Sequence, residues 1–534
     1  MSTPNSVIYI CNVPLNNRYE HTIYFEDPTA QENYFMDHVV KTYMQYTFLR
    51  KTWSIKVEAT LEQARAWPYL FTRNSSNGLW NYYFITGAEY VNDCTVELSL
   101  ELDVMQTYMF NTSLTECFVE REHATTDNPG DNLVEEGLDT GDLITAYKRN
   151  IEWGSPCIMI MSTLDLENSL GEDQTKVLCA NYDNTYWGVA VYAVKMDDYV
   201  KLGQLLKDAD NAGISDAVIS MWMYPKDLVE LHSSESWDSS RVCKKLGGAK
   251  SIDNVATVPT SVGEPNYIGG SYTPRNKKLL TYPYSCLYVT NNSGGAAVYH
   301  YERFLNGQAW VRVYGSLSAE GSAKLFPINY NGSSENVDEA LAFGNFPTCA
   351  WNQDIYKLWL AQNQNANNNA LQGNAITVAA GVASVVAGTV SGNMMMVGGG
   401  VLGAVHGMHG IDQVLGAVKD REIQPPQSKG TASPSVNMTA GCHTFTLMQK
   451  SIDGNRAKIL DEYFDMYGYK TCRVKVPAKN HRAHWWYTKT RGCHVVGSAC
   501  AADQAKIESI YDAGITFWRS DHGVGNYTDD NIII

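Results

Sequence analysis

Two short stretches of the sequence contain residue types that bind zinc. The segment "NHRAHWW" places His481 and His484 three residues apart, and "RGCHVV" adds Cys493 and His494. A structural zinc site needs four ligands that converge on one point, and neither spacing brings four ligands together. We therefore expect packed or surface side chains here, and we predict no metal site and no cofactor.

Two carboxylates could form a pair for acid–base chemistry, because Glu101 and Asp103 lie on the same side of a predicted strand. In "CTVELSLELDV", apolar and polar residues alternate strictly, which is the period of a half-buried strand. Glu97 and Ser99 share the polar side, so the pattern indicates a solvated acidic stripe rather than a catalytic pair. The sequence has no P-loop, nucleophile elbow or HExxH motif, and we predict that the protein is not an enzyme.

The composition argues against tight binding of nucleic acid. The 534 residues include 41 Lys and Arg against 57 Asp and Glu, a formal net charge of −16. Sequence-independent binding to phosphates needs clustered cations, so we expect DNA to be repelled rather than held. No two of the twelve cysteines have the spacing of a zinc knuckle or redox pair, which indicates reduced thiols. The first residues, "MSTPNSVIYICNVPL", do not have the pattern of a secretory signal.

The secondary-structure pattern changes along the chain and divides it into five predicted stretches. Residues 1–150 are predicted to be a β-rich domain, with strands in "WSIKVEATL" and "WNYYFITGAEYV". Residues 151–275 are a predicted α/β insert, in which the helix "DDYVKLGQLLKDADNAG" ends at Gly213. Residues 276–350 are predicted to form a second β-rich domain. Residues 351–430 are predicted to contain a helical lead-in and an apolar loop, and Pro425 and Pro426 mark the boundary after them. Residues 431–534 are predicted to form an α+β domain. The predicted fold class is mainly β with α+β parts.

The apolar loop differs in composition from the rest of the chain. Residues 358–411 contain no Asp, Glu, Lys or Arg. Residues 375–390 and 394–408 would each form a helix of only ~24 Å, which is shorter than the ~30 Å hydrocarbon core of a bilayer. We therefore predict a hairpin of two short helices, joined by "SGN", that inserts into a membrane under specific conditions.

Two sets of residues in this loop are predicted to act in the membrane. The apolar side chains that would contact lipid are Ala375, Ile376, Val378, Val382, Val385, Val386, Val390, Met394, Met395, Met396, Val397, Val401, Leu402, Val405 and Met408. Small residues recur four apart and would let helices approach closely; they are Ala380, Ser384, Gly388, Gly392, Gly399, Gly403 and Gly407. One alternative is a Gly/Ala-rich helical pair buried in the protein's own core. Another is that His406 and His409 sense acidification.

A set of phrases in a fixed order resembles the distal tail knob (tail tube) proteins of small short-tailed phages (podoviruses) of Gram-positive bacteria that replicate DNA by protein priming. The phrases are "NVPLNNRYEHTIYF", "QENYF", "ELDVMQTYMF", "CFVEREH", "EEGLDTG", "YPYSC", "IQPPQSKG", "MYGYKTCRVKVP" and "YDAGITFWRSDHGVGNY". They extend from about residue 7 to residue 528, so the resemblance covers nearly the whole chain. Residues 150–275 resemble the family least.

The resemblance implies tandem β-rich tail-tube-like domains that assemble into a homo-hexameric tube at the tip of the virion tail. The tube would join the upstream tail or collar protein. It also implies that residues 373–410 plug the lumen before infection and are then released to form a pore in the host cell membrane, through which genomic DNA passes without tight binding. We add the hypothesis that Glu97, Glu101 and Asp103 line the lumen, where acidic side chains would prevent DNA from adhering.

Two other functional classes are compatible with parts of this pattern. An oligomeric pore-forming toxin or effector would also combine a β-rich body with a glycine-rich hairpin. A cell-wall hydrolase would require a catalytic constellation, and none is recognisable in the sequence.

Overall fold

The computed structural model describes residues 6–49, 53–73, 78–152, 154–163, 166, 181–182, 185–186, 189–212, 214–257, 272–317, 321–343, 346, 348–349, 351–353, 427–429 and 444–534. The chain divides into two units. Unit 1 consists of Met1–Ala146, Pro259–Cys286 and Lys450–Ile534, and unit 2 of Tyr147–Val258 and Leu287–Gln449. Strands predominate over helices, as the sequence predicts. The linear division into five stretches remains a prediction.

The α-helices of the described residues are α1 (Pro28–Asp37), α2 (Leu61–Arg65), α3 (Val104–Thr107), α4 (Tyr199–Asn211), α5 (Gly454–Tyr467) and α6 (Ala501–Ala513). Short 3-10 helices occupy Met196–Asp198, Ser215–Ala217, Lys226–Leu228, Lys277–Leu280, Tyr301–Arg303 and Leu305–Gly307.

The strands follow in chain order. Residues 8–122 contain β1 (Ile8–Cys11), β2 (His21–Tyr24), β3 (Val39–Tyr43), β4 (Thr47–Leu49), β5 (Ser54–Glu58), β6 (Tyr69–Arg73), β7 (Trp80–Asn92), β8 (Thr95–Leu102), β9 (Thr112–Leu114) and β10 (Cys117–Glu122). Residues 144–257 contain β11 (Ile144–Asn150), β12 (Pro156–Ser162), β13 (Asn181–Tyr182), β14 (Thr185–Tyr186), β15 (Ala190–Lys195), β16 (Val218–Pro225), β17 (Val229–Leu231), β18 (Lys244–Ala249) and β19 (Ser251–Thr257). Residues 285–451 contain β20 (Ser285–Thr290), β21 (Ala296–Tyr299), β22 (Gln308–Gly315), β23 (Ala323–Ile328), β24 (Leu341–Phe343), β25 (Thr348–Cys349), β26 (Trp351–Gln353), β27 (Gln427–Lys429) and β28 (Thr446–Ser451). The last strands are β29 (Tyr469–Lys475), β30 (Trp485–Arg491), β31 (Val495–Gly497) and β32 (Ile515–Arg519).

Unit 1 contains two large sheets. The first has the order β3-β1-β6-β7-β8-β5-β4, and the second has the order β2-β32-β30-β10-β29. In the second sheet, strands from both ends of the chain pair: β2 runs parallel to β32, and β10 lies between β29 and β30. The C-terminal segment is therefore an integral part of the unit that the N-terminal residues begin.

An aromatic core fills unit 1. Phe35 of α1 stacks on Tyr69 with ring centroids 5.5 Å apart, and Trp486 stacks on Phe517 at 5.5 Å within the same hydrophobic cluster. Rings of this size each bury 150–250 Å² and dominate the energetics of a core. A second cluster contains the alternate residues Val96, Leu98 and Leu100 of β8, together with side chains from β5 and α2.

A buried ion group anchors Glu136, which lies in residues 123–143, a stretch without helix or strand. The Glu136 side chain is 0% exposed and contacts Arg121 and Lys278, which are 11% and 4% exposed. Its carboxylate also accepts a hydrogen bond from the backbone N–H of Lys470 at 2.8 Å. Burial lowers the pKa of Lys278. Removal of one partner would leave a charge buried without compensation, so loss of any member of the group should destabilise the protein strongly.

Unit 2 contains sheets in the order β17-β18-β15-β12-β16-β25 and β19-β22-β23-β24, and most residues of a sheet in the order β11-β28-β20-β21. β12 is buried on both faces: Ile158 and Ile160 join a cluster with Leu202 of α4, whereas Cys157 and Met159 join the main core. A strand covered on both sides is continuously apolar, as "PCIMIM" is.

Several predicted elements are confirmed. The two quoted N-terminal strands correspond to β5 and β7, and the predicted insert helix corresponds to α4. α4 ends with Ala212 as its C-cap, while the predicted end at Gly213 lies outside the described residues. α6 ends at Ala513, and its C-cap is Gly514, whose φ of 97° suits glycine.

Candidate functional site

The acidic stripe expected on β8 is present for part of its length. Val96, Leu98 and Leu100 are buried, and the polar residues between them are half-buried. β5 pairs with β8 on one side and β7 on the other, so the stripe is the middle row of three strands.

Glu97 is held by two residues of β5. Its carboxylate accepts a hydrogen bond from Ser54 Oγ at 2.5 Å and lies 3.5 Å from Lys56 Nζ. The hydrogen bond from Ser54, together with Lys56, lowers the pKa of Glu97. Lys56 is its cross-strand neighbour, which is the arrangement in which opposite charges stabilise a sheet.

Glu89 is a member of this site that the sequence analysis missed. It lies directly opposite Glu97 in the register of β7 and β8 and is exposed. In the described part of the chain no cation lies within ion-pair distance of Glu89. Like charges in directly opposite positions destabilise a sheet, so this pair leaves negative charge uncompensated on that face.

Glu101 pairs with two residues of unit 1 that are distant from it in the sequence. Its carboxylate accepts hydrogen bonds from Asn17 Nδ2 and Lys506 Nζ, each at 2.8 Å. Burial acts to raise the pKa of Glu101, but these two donors outweigh it and the net shift is downward. The stripe is therefore less acidic than its sequence suggests, because Glu97 and Glu101 each have a lysine partner.

Asp103 does not belong to the exposed stripe, and the expectation that it does is wrong. It is 1% exposed and lies at the N-terminus of α3, where its Oδ1 accepts hydrogen bonds from the amides of Met105 and Gln106. Its Oδ2 accepts a hydrogen bond from Tyr69 Oη at 2.8 Å. Burial raises the pKa of Asp103 to about 6, although the hydrogen bonds favour its charged form. A capping side chain must point back into the helix end, so it cannot continue the alternation of β8.

The apolar loop at residues 373–410, with all its predicted lipid-contacting and small residues, lies outside the described residues. Among the helices that the structure does describe, none is long and apolar enough to cross a membrane.

The residues considered for zinc have other partners. His481 Nε2 hydrogen-bonds to the carbonyl of His123 at 3.1 Å, and burial lowers the pKa of His481 to about 4. His494 Nδ1 lies 3.0 Å from Glu508, and Cys493 Sγ contacts the Glu508 carbonyl. Within the described ranges, no three His, Cys, Asp or Glu side chains form a group that could hold a metal ion.

Comparison with known proteins gives consistent results over the whole chain. Residues 249–532, more than half of the chain, match the family model described as the C-terminal domain of tail knob protein gp9 of Bacillus phage phi29. Residues 3–113 match the N-terminal family of caudoviral major tail proteins.

Individual relatives align nearly end to end. The chain is 23% identical to tail knob protein gp9 of Bacillus phage phi29, over 98% of each protein, and 25% identical to gp9 of Bacillus phage B103, over 97% of each. The structure of the bacteriophage C1 tail knob protein, gp12, superposes with a TM-score of 0.64 at 17% identity and covers 99% of this chain and 100% of that one. This last similarity shows a shared fold.

Proposed function

We infer the function of this chain from its membership of the phi29 tail knob protein family. The protein is a structural component of a phage tail and not an enzyme. We propose that six copies form a hollow knob that continues the tail tube. In this proposal the knob adjoins an upstream tail or collar protein of a short-tailed phage. The end-to-end alignment with tail knob proteins is the observation that carries the proposal, and the match of residues 3–113 to a major tail protein family supports the tube-like part.

We propose that residues 373–410 plug the lumen before infection and later insert into the host cell membrane as a pore for the genome. The support is chemical. A stretch of more than fifty residues without a charge, rich in Gly and Ala, buries little area in a core, whereas closely packed small residues suit helix contacts in lipid. The loops of several subunits would supply the apolar partners that one loop lacks.

We further propose that the stripe with Glu97 and Glu101 faces the lumen, and we add Glu89 to it. Together with Lys56 and Lys506, three carboxylates face two ammonium groups, so one net negative charge remains on each subunit. The Debye length is ~8 Å at physiological ionic strength, so salt screens distant charges and only charges close to the DNA path act on it. A wall of weak negative charge would let DNA pass without adhering.

Deletion of residues 373–410 tests the proposal. Negative-stain electron microscopy of the intact protein without lipid should show open-ended rings, and the deletion variant should form the same rings. The intact protein should release dye from vesicles, and the deletion variant should not. Equal dye release by both proteins would contradict the role of the loop. Subunits that assemble only on lipid would contradict the knob and favour a pore-forming toxin. An unfolded deletion variant would show that the loop is part of a core.

A further inference from the structure

The C-terminal segment contains a basic stretch that contrasts with the acidic chain. Residues 466–502 contain seven Lys and Arg and no Asp or Glu. Because the whole chain carries −16, the remaining residues carry −16 − 7 = −23. The structure also brings these basic residues together, since the stretch supplies β29 and β30, which lie on either side of β10.

Some of these cations have carboxylate partners inside the unit. Glu120 of β10 lies 3.1 Å from Lys489 and 3.4 Å from Arg491, and Glu122 contacts Lys475. The three strands β29, β10 and β30 also carry Lys470 and Arg473. Leaving aside Arg121, which is paired with Glu136, the balance is five cations against two anions, or +3.

Two of the three surplus charges, those of Lys470 and Arg473, lie on a strand at the edge of the sheet. β29 is the last strand of its sheet, and Arg473 is exposed on it with no carboxylate within ion-pair distance among the described residues. Its neighbour Val474 is 70% exposed, and Val476, just beyond the strand, is 51% exposed. Edge lysines and bulges by themselves protect a sheet from aggregation. Val474 and Val476 work against this protection, because they leave apolar area in water beside the charged Arg473.

We propose that this edge, defined by Arg473, Val474 and Val476, is one half of the contact between neighbouring copies of this chain, and that it receives an acidic surface of the next copy. The residues outside the basic stretch carry a net charge of −23, so the rest of the next copy is complementary in charge to this edge. The exposed valines favour a protein partner over a phosphodiester polymer, whose charged backbone offers little apolar surface to match them.

The positive charge of the edge also favours a contact between two different surfaces over a two-fold contact. Two such edges repel each other, so a two-fold contact in which the edge meets itself is disfavoured. A contact between a basic edge and a different, acidic surface is heterologous, and heterologous contacts generate closed rings when the rotation closes. The inference rests on the ring-forming part of the proposed function and is independent of membrane insertion.

The test is the double variant Arg473→Glu with Val474→Asp, compared with Lys324→Glu with Val337→Asp. The second pair makes equivalent changes, a cation to Glu and a valine to Asp, at exposed residues of unit 2. Mass photometry over a concentration series should show that the edge variant needs at least about tenfold more protein to assemble, whereas the control assembles like wild type. Circular dichroism melting verifies that both variants are folded; if the edge variant is not, the single change Arg473→Gln replaces it.

The outcomes separate this inference from the proposed function. Rings of the wild type and the control but not of the edge variant support it. Rings of all three at the same concentration overturn it, and if the edge variant has then also lost binding to a heparin column, the edge binds a polyanion instead. Absence of rings in the wild type contradicts the proposed knob itself.

Discussion

Lys506 Nζ lies 2.8 Å from the carboxylate of Glu101, although 405 residues separate them in the chain. The pair connects α6 of the C-terminal segment to β8 of the first sheet. Asn17 donates a second hydrogen bond to the same carboxylate. The candidate stripe therefore depends on residues from both ends of the sequence.

Replacement of Lys506 by Met should destabilise the protein in a pH-dependent way. The pKa of Glu101 is lowered in the folded state, so the stabilisation is present above its unfolded pKa and is lost as the pH falls through the folded value. Both side chains are about one-third exposed, so we expect a loss of only about 0.5 kcal/mol at pH 7. Urea denaturation at pH 7 and pH 3 measures it. An equal loss at both pH values would mean that the lysine stem acts by packing.

The alternation of residues 95–102 was predictable from the sequence, because a strand with one buried face must repeat every second residue. The role of Asp103 as the buried N-cap of α3 was not predicted, although an Asp directly before "VMQT" is an N-cap signal that could have indicated it. The position of Glu89 was less accessible, since register irregularities at Ile85/Gly87 and Tyr90/Asn92 decide which residue meets Glu97. The pairing of β10 with β29 and β30 joins segments more than 340 residues apart, and no local pattern encodes it.

Asp103→Asn should flatten one part of the pH dependence of stability. The pKa of Asp103 is raised to about 6 from an ordinary 3.8, so between these values the folded state retains a proton that the unfolded state has released. Stability therefore falls as the pH rises through this window. The asparagine keeps an acceptor for the cap but does not titrate. Urea midpoints at pH 4 and pH 6.5 should differ less in the variant. If the midpoints of the variant differed as much as those of the wild type, the raised pKa of Asp103 would be contradicted.

Gly468→Ala and Gly203→Ala should change stability in opposite directions. Gly468 caps α5 with φ 63°, and a Cβ built there would lie 2.2 Å from the carbonyl oxygen of Glu122. We expect a loss of at least about 1–3 kcal/mol from backbone strain. Gly203 lies inside α4 with nothing within 4 Å of an added Cβ, so alanine should stabilise by about 0.5–1 kcal/mol. Thermal denaturation compares the two, and a tolerated Gly468→Ala would contradict the described cap.

Replacement of both Ser384 and Gly388 by Leu should separate lipid binding from pore formation. The loop would remain apolar, so vesicle binding should persist or increase. The larger side chains would prevent close helix approach, and pore formation should fall. Vesicle co-sedimentation measures the first property and dye release the second. The change of Val385 and Val386 to Leu, which leaves the small residues in place, is the matched control. Undiminished dye release by the Ser384 and Gly388 variant would mean that close packing is not how the pore forms.

Glu89→Lys offers the cleanest test of the lumen assignment. Charge reversal at Glu97 or Glu101 would break the ion pairs with Lys56 and Lys506, and slower DNA ejection could then result from a damaged sheet. Glu89 has no cationic partner in the described part of the chain, and a lysine there would face Glu97 directly. The like-charge pair would become an opposite-charge pair, so we expect the protein to gain about 0.2–1 kcal/mol of stability.

The same change would alter the charge of the stripe from −1 to +1 per subunit, because one carboxylate is replaced by one ammonium group. If the stripe lines the lumen, six positive sites would then attract the polyanion that must slide past them. Virions with Glu89→Lys should therefore assemble normally but eject DNA more slowly, and added salt should restore the rate by screening. Glu89→Gln, which removes the charge without reversing it, should give an intermediate rate. Ejection at the wild-type rate from Glu89→Lys particles, or an assembled knob with Glu89 and Glu97 on its outer surface, would refute the assignment.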